Sequence, residues 1–302
     1  MVKEITVKSA LNKIDKDFLP YSWDLNVYRG CAHNCQYCFA TYSHQYLQST
    51  NFFGDIYVKT NIAESLEKKL ASKRWKKEII NIGGVTDSYQ KAEEKYQLMP
   101  AIWKTLIKYQ NSVVISTKSK LILRDIDLIK KLSELVPVNV AATIITTNDK
   151  IRKKIEPGAA SIDDRFAMLK EIKSKTKSFV GVHVMPIIPR ITDDLENLEE
   201  LFKRAKEISA DYLITSGLNL YSQTKKTFFS FIARDYPELL DYYRDLFQQP
   251  HLKKEYRDKL YQKLGKLRRK YKLKSYSKIF DIEQERKPEP LQLFQKKLIA
   301  GY

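Results

Sequence analysis

The chain has 302 residues, 43% of them hydrophobic, which is enough to form the core of one large domain or two ordinary ones. Residues 1–19 contain no apolar run of the signal-peptide type. No segment approaches the roughly 18 apolar residues that a membrane helix needs. We therefore expect a cytoplasmic protein with no membrane contact, and we expect it to be a monomer.

The balance of charged residues is strongly basic. Lys and Arg number 54 against 36 Asp and Glu, which gives a formal net charge of +18. An excess of this size is typical of proteins that bind polyanions, of which nucleic acid is the commonest. The alternative is a lysine-rich protein whose charges only solvate its helix faces.

The first 60 residues offer few signals of regular structure. Residues 1–19 are predicted to be an irregular arm, and Trp23–Tyr28 a short strand that leads into a cysteine-containing loop. Asn61 is predicted to cap a helix over residues 62–77, because Glu64 stands at the capping-box position.

From residue 78 onwards, short apolar strands alternate with amphipathic helices. Strands are predicted at 78–82, 112–116, 138–145, 178–185 and 211–215, and helices at 95–109, 125–135, 161–174 and 194–208. This alternation predicts a parallel sheet of βα units. Together with the strand at 23–28 it predicts an α/β fold, a partial (β/α)6 TIM-like barrel over residues 20–222. Polar residues follow several strands, where such folds place active sites.

Residues 223–302 are predicted to form a basic, mostly helical C-terminal extension. Residues 251–278 contain twelve Lys or Arg but only two acidic residues, and four tyrosines are interleaved: Tyr256, Tyr261, Tyr271 and Tyr276. Basic contacts to phosphates with aromatic stacking would suit a single-stranded or distorted nucleic acid. The alternative is an amphipathic helix whose tyrosines pack on the barrel.

The cysteine loop carries the strongest chemical signal. Cys31, Cys35 and Cys38 are the only cysteines and fall within eight residues. Three thiols so close together are poor disulfide partners, since one is always left over, but good ligands for a soft metal. Zinc would take His33 or His44 as its fourth ligand. A [4Fe–4S] cluster normally takes four cysteines, so three leave one iron open.

The spacing Cys-x3-Cys-x2-Cys, with Tyr37 before the last cysteine, resembles the cluster loop of the radical S-adenosylmethionine (SAM) enzymes. Further stretches between Trp23 and Leu220 resemble the spore photoproduct lyase-like branch of that superfamily and favour a cluster over zinc. They are Gly84–Gln90, Ser116–Ser119, Arg124–Asp125, Glu156–Ser161 with Arg165, Met185–Pro189 and Thr192–Asp193.

The resemblance implies a function. Cys31, Cys35 and Cys38 would ligate three irons, and the fourth iron would bind the amino and carboxylate groups of SAM. An electron from a flavodoxin or ferredoxin would then cleave SAM to methionine and a 5′-deoxyadenosyl radical. We expect this radical to abstract hydrogen from DNA or RNA, in lesion repair or base modification. The alternatives are a radical SAM enzyme acting on a peptide or small molecule, and a non-enzymatic zinc-knuckle binder of nucleic acid.

The resemblance also implies which residues bind SAM. Val85 stands where the common Gly-Gly-Glu pattern has an acid, and Lys118 is expected at the SAM carboxylate. Asp87, Tyr89 and Gln90 are expected on the substrate side. The full set expected to bind SAM is Tyr37, Gly83, Gly84, Val85, Thr86, Thr117, Lys118, Met185 and Pro186.

Four other residues have structural roles in this interpretation. Glu156 and Arg165 are expected to pair beneath the site, His183 to be a core histidine, and His33 to shield the cluster. Spore photoproduct lyases carry a further cysteine that quenches the product radical, and this chain has no fourth cysteine. A tyrosine can replace it as quencher.

Overall fold

The computed structural model describes residues 1–14, 19, 21–46, 49 and 51–275. Within these ranges the β-strands are Val2–Ile5 (β1), Leu11–Lys13 (β2), Trp23–Leu25 (β3), Tyr28–Arg29 (β4), Ile56–Lys59 (β5), Ile80–Ile82 (β6), Val113–Thr117 (β7), Val138–Thr143 (β8), Phe179–Ile187 (β9) and Tyr212–Gly217 (β10). The α-helices are Ile62–Leu70 (α1), Ala92–Tyr96 (α2), Leu98–Tyr109 (α3), Ile126–Leu135 (α4), Asp149–Ile155 (α5), Ile162–Lys175 (α6), Leu195–Glu207 (α7), Ser222–Asp235 (α8), Leu240–Leu246 (α9) and Lys254–Tyr271 (α10). Short 3-10 helices cover Phe39–Tyr46, Lys120–Asp125 and Pro237–Leu239.

The main sheet has the order β10-β9-β8-β7-β6-β3-β2. Six of its strands, β3, β6, β7, β8, β9 and β10, pair in parallel. Strand β2 pairs antiparallel with β3 at one edge. Among the described strands β10 and β2 stand at opposite edges, so the sheet is an open, partial barrel. The predicted α/β fold with six parallel strands is confirmed.

Strand β9 shows how the sheet separates a helix-covered face from an inner one. Val180, Val182 and Val184 are fully buried, and α6 and α7 pack against this strand. Successive side chains of a strand point to opposite faces, so Gly181 and His183 face the inside of the barrel. Gly181 is required there, because an added Cβ would lie 2.0 Å from the ring of Tyr212 on the neighbouring strand.

The prediction of an irregular N-terminal arm is wrong. Strand β1 pairs in parallel with β5, and β2 extends the main sheet. Asn61 does not cap α1; its side chain accepts from Val7 N and donates to Val7 O instead, both at 2.9 Å. Helix α1 also ends at Leu70, earlier than predicted.

Strand β9 continues through Pro186 to Ile187, where the sequence predicts a break. The last residue pair between β8 and β9 is Thr143 with His183, and pairing with β10 is irregular beyond Thr215. Pro186 lies past the regular ladder, so its missing N–H costs no ladder hydrogen bond.

The described part of the C-terminal extension is helical. Helix α10 packs on α7 and buries Leu260, Leu264 and Leu267, the spacing of one helix face. The hydroxyl groups of Tyr256 and Tyr271 donate to Asp193 and Glu199, so these tyrosines pack on the barrel. Tyr276 and Lys278, part of the predicted basic segment, lie outside the described residues. None of the described helices is long and apolar enough to cross a membrane.

Candidate cluster and SAM site

The cysteine loop follows β4 and turns inward. Gly30 has a φ of +78°, and an added Cβ would lie 2.4 Å from the carbonyl oxygen of Asp55; only glycine fits there. Cys31 and Cys35 are buried and Cys38 is half-buried, all three as free thiols. Helix α8 reaches the end of the loop, where Thr224 Oγ1 donates to the carbonyl oxygen of Cys38 at 3.2 Å.

His33 fastens the loop on two sides. Its Nδ1 lies 2.9 Å from the carbonyl oxygen of Gly158, and its Nε2 lies 2.9 Å from Asp87 Oδ2. The amide of Gly158 donates back to the carbonyl oxygen of His33 at 3.0 Å. Both ring nitrogens thus lie next to an oxygen atom of a neighbouring segment. The Nε2 of His44, the other histidine considered as a zinc ligand, lies 3.0 Å from Asp55 O.

The three thiols fit a [4Fe–4S] cluster better than zinc. No three His, Cys, Asp or Glu side chains in the described part of the chain are grouped so that they could hold one metal ion. A mononuclear zinc site needs such a group, whereas in a [4Fe–4S] cluster each cysteine binds a different iron. Burial raises the pKa of each of the three thiols to about 12, so a bound cation is needed to stabilise the thiolates.

A buried polar chain lies beneath Cys35. The hydroxyl group of Tyr37 donates to Glu156, and Arg165 Nη1 donates to Glu156 Oε2 at 2.6 Å. Arg165 also donates to the carbonyl oxygens of Thr143 at 2.7 Å and Ala160 at 3.0 Å. Burial opposes ionisation of Glu156, but Arg165 and Lys118 hold its pKa below the usual range. The expected pairing of Glu156 with Arg165 is confirmed.

Lys118 is a half-buried cation that directly follows β7. Its Nζ lies 5.8 Å from the centre of the Tyr37 ring. Burial opposes its charge, but Cys35, Glu156 and Asp87 raise its pKa above the ordinary value. No carboxylate in the described ranges forms a direct ion pair with Lys118, so its charge remains available to an anionic ligand.

Two side chains from the β3–β4 region accept hydrogen bonds from the backbone of the segment that follows β6. The amide of Gly84 donates to Asp24 Oδ1 at 3.1 Å, and the amide of Val85 donates to Asn26 Oδ1 at 2.9 Å. Thr86 Oγ1 donates to the carbonyl oxygen of Gly30 at 2.6 Å, which ties the segment to the cysteine loop. An added Cβ at Gly84 would lie 2.4 Å from Asp24 Oδ2.

Asp87 connects this segment to the end of β7. Its carboxylate accepts from Thr117 Oγ1 at 2.8 Å, from the amide of Lys118 at 2.8 Å and from the amide of Tyr89 at 2.9 Å. Burial opposes its ionisation, but His33 and these donors hold its pKa well below the usual range. Asp87 therefore joins the cysteine loop, the segment after β6 and the end of β7.

Tyr89 and Gln90 lie inside the protein, not on an open substrate side as expected. The Tyr89 hydroxyl donates to Asp125 at 2.9 Å and accepts from Trp103 at 2.7 Å. Gln90 Nε2 donates to the carbonyl oxygen of Gly30 at 3.0 Å, and its Oε1 accepts from the amide of Ala32 at 2.8 Å. Because Tyr89 and Gln90 follow a strand, they were predicted to lie on the substrate side. Nothing in the sequence indicated that their side chains are buried.

Comparison with known proteins decides the family. The model of the Radical SAM superfamily matches residues 25–205. The chain belongs to the radical SAM superfamily. An uncharacterized protein of Mycobacterium bovis is 35% identical over 277 residues, which cover 89% of this chain and 81% of that protein. An uncharacterized protein of Methanocaldococcus jannaschii is 29% identical over 215 residues, 71% of this chain and 76% of that protein.

The fold of this chain is similar to that of proteins with solved structures. Spore photoproduct lyase complexed with dinucleoside spore photoproduct superposes with a TM-score of 0.64 at 14% identity, over 89% of this chain and 79% of that one. At 14% identity the structural similarity shows only that the two proteins share a fold. Together with this fold, the radical SAM domain identifies the chain as an enzyme.

Inside the radical SAM barrel, His183 is a hydrogen-bonded core residue, as expected. Its Nε2 lies 3.1 Å from the hydroxyl of Tyr212, which accepts from Asn139 Nδ2 at 2.9 Å. Burial, with Lys118 contributing, lowers the pKa of His183 to about 4. Met185 and Pro186, joined by a cis peptide bond, lie half-buried towards the carboxyl end of β9.

Three residues that support the segment after β6 were not predicted from the sequence. They are Asp24 and Asn26, which hold the amides of the segment after β6, and Lys59, whose Nζ donates to the carbonyl oxygen of Asn26 at 2.5 Å. Burial, with Arg29 contributing, lowers the pKa of Lys59 to about 8. Asp24 is a charged residue within an otherwise apolar strand, and this feature of the sequence could have indicated its supporting role.

Proposed function

We propose that this protein reductively cleaves SAM at a [4Fe–4S] cluster and abstracts hydrogen from a nucleic-acid substrate. One observation carries the proposal: three cysteines on one loop, two of them buried and one half-buried, lie near Lys118, a half-buried cation with no ion-pair partner among the described residues. When bound, the cluster and SAM supply the electron transfer and the 5′-deoxyadenosyl radical that attacks the substrate. The electron comes from a flavodoxin or ferredoxin.

In this proposal the protein's own groups bind and orient the cofactors. Cys31, Cys35 and Cys38 hold the cluster. Lys118 binds the SAM carboxylate, because it is a charged donor beside Cys35. The amides of Gly84 and Val85 are already occupied by Asp24 and Asn26.

The SAM amino group needs acceptors, so it binds carbonyl oxygens of the segment Gly83–Thr86. Thr117 orients Asp87, and Met185 with Pro186 borders the adenine. Tyr37 lines the same site next to Lys118. Asp87, Tyr89 and Gln90 act as positioning residues in this assignment, through the hydrogen bonds that hold the loop.

Charge and fold support a nucleic-acid substrate. The chain carries a net charge of +18, and α10 exposes Lys254, Lys259, Lys266 and Arg269. Spore photoproduct lyase, which shares the fold, has been solved with a dinucleoside spore photoproduct. All three cysteines of this chain are cluster ligands here, so no thiol remains to return hydrogen to a product radical. A peptide or small-molecule substrate is the alternative.

The decisive experiment is anaerobic. Protein reconstituted with iron and sulfide is reduced with dithionite and given SAM, and 5′-deoxyadenosine is measured by mass spectrometry with and without single-stranded DNA and RNA. We expect cleavage that is absent in Cys35→Ala. A colourless protein that binds about one zinc and cleaves no SAM would instead establish the zinc-knuckle binder.

The substrate class is tested separately by binding. Affinity for a single-stranded oligonucleotide should fall steeply with salt, because each phosphate contact releases counterions. The double variant Lys259→Glu/Lys266→Glu should flatten this dependence, whereas Lys131→Glu on α4 should not. Binding that does not depend on salt would favour the peptide or small-molecule alternative.

A further inference from the structure

A groove of about 680 Å³ opens beside the cysteine loop, between α5 and α8. Asn34 and Gln36, which lie between the cysteines, form its inner wall. The groove lining does not include Lys118 or Met185. The groove lining is therefore separate from these two groups of the proposed SAM site.

The rim of the groove is basic. Lys153 and Lys154 from α5 face Lys226 and Arg234 from α8. Asp235 is the carboxylate in the lining, and it pairs with Arg234 at 2.7 Å. Arg234 and Asp235 therefore neutralise each other, and Lys153 lies 3.9 Å from Asp149. Lys154 and Lys226 form no ion pair with a described carboxylate, so the rim keeps a net positive charge, which attracts an acidic partner.

Both walls are joined directly to the cluster ligands. The amide of Gln36 donates to the carbonyl oxygen of Ile155, the last residue of α5, at 2.9 Å. Gln36 is covalently next to Cys35, and Thr224 of α8 donates to the carbonyl oxygen of Cys38. A partner seated in the groove is separated from the cysteines by the backbone of one loop.

We propose that this groove docks an acidic one-electron carrier of the flavodoxin or ferredoxin type. The inference rests on the proposed function, which requires an electron at the cluster. In the transfer the carrier loses one electron and the cluster gains one, and no covalent bond forms or breaks. A nucleic-acid substrate fits this position less well, because the groove lining does not include Lys118 or Met185 of the proposed SAM site.

The test compares two reductants on one enzyme. The double variant Lys153→Glu/Lys226→Glu reverses one charge on each wall, and Lys131→Glu on α4 is the control. Binding of purified flavodoxin, and separately of a [4Fe–4S] ferredoxin, is measured by titration calorimetry at low and high salt. SAM cleavage is then driven either by the reduced carrier or by dithionite, which needs no docking surface.

We expect the double variant to bind at least one carrier about tenfold more weakly at low salt, with a smaller difference at high salt. Carrier-driven cleavage should fall in parallel, while dithionite-driven cleavage stays at the wild-type rate. Unchanged carrier affinity, or no carrier binding by the wild type, overturns the docking proposal. Oligonucleotide affinity that falls in the double variant while carrier affinity does not would reassign the groove to nucleic acid. Failure of dithionite-driven cleavage in the wild type would refute the proposed function, and the binding titrations would still decide the groove.

Discussion

His33 Nε2 lies 2.9 Å from Asp87 Oδ2, and this contact joins the cysteine loop to the carboxyl ends of two strands. The same carboxylate accepts from Thr117 and from the amide of Lys118. One buried side chain thus fixes the relative position of the proposed cluster ligands and the proposed SAM-binding cation.

Replacing this carboxylate should loosen the loop without removing a ligand. We expect Asp87→Asn to lower the free energy of unfolding by about 1–3 kcal/mol, because a buried group loses charged hydrogen bonds. Urea unfolding measures the change, and iron content after reconstitution should fall with it. Asp241→Asn, whose carboxylate is 91% exposed, serves as the control. Wild-type stability in Asp87→Asn would contradict the bracing role.

Gly158 tests how closely the loop is packed. A Cβ at this position would lie 2.3 Å from the carbonyl oxygen of Ala32, so Gly158→Ala must displace the backbone between the first two cysteines. We expect iron incorporation to fall severalfold, measured by iron assay and absorbance. Gly265→Ala is the matched control; its Cβ would lie 3.7 Å from Arg269 Nη1. It should stabilise α10 by about 0.5–1 kcal/mol.

Removal of only one charge of the buried pair Glu156–Arg165 should lower the free energy of unfolding strongly. Arg165→Met leaves a buried carboxylate unpaired and should lower stability by about 3–5 kcal/mol. The double variant Glu156→Gln/Arg165→Met removes both charges and should recover part of that loss. The single variant Glu156→Gln completes the cycle. Losses of Arg165→Met and Glu156→Gln that add up to the loss of the double variant, measured by denaturant unfolding, would show that the pair is not coupled.

Lys118 should control SAM affinity. We expect Lys118→Met to weaken SAM binding by about tenfold or more, the loss of a charge-assisted hydrogen bond worth about 1.5–3 kcal/mol. Calorimetric titration of the reconstituted protein measures it, and Lys118→Arg should retain part of the affinity. Unchanged affinity in Lys118→Met would assign the SAM carboxylate to another group.

His183 should make stability depend on acid pH. Its pKa is lowered from 6.5 to about 4 in the folded protein, so between these values the unfolded chain binds a proton that the folded chain does not. Stability contributed by this residue is therefore lost as the pH falls through this window. From pH 7 to pH 5, wild type should lose about 1–2 kcal/mol more than His183→Gln. Parallel pH profiles would place His183 in contact with solvent.

The sequence predicted the parallel barrel because its strands are short apolar runs separated by amphipathic helices. It did not predict β1, because the partner of β1 is the distant strand β5, with Val2 opposite Ile56. It did not predict β2 either, because β2 has only three residues, too few to show an alternating pattern. The cysteines, Lys118 and the Glu156–Arg165 pair were readable from residue type and resemblance. The supporting roles of Asp24, Asn26, Tyr89 and Gln90 depend on packing, which residue type alone does not encode.

The cysteine loop is shaped by contacts that are distant in sequence. His33 meets Gly158 across 125 residues, and Cys38 meets Thr224 across 186. Contacts of such separation form late, since long loops must close first. During synthesis the three cysteines leave the ribosome long before α5 and α8 exist to hold them. The proposed cluster pocket is thus completed only once the chain has been translated past α8, so we expect metal loading to follow folding of the barrel.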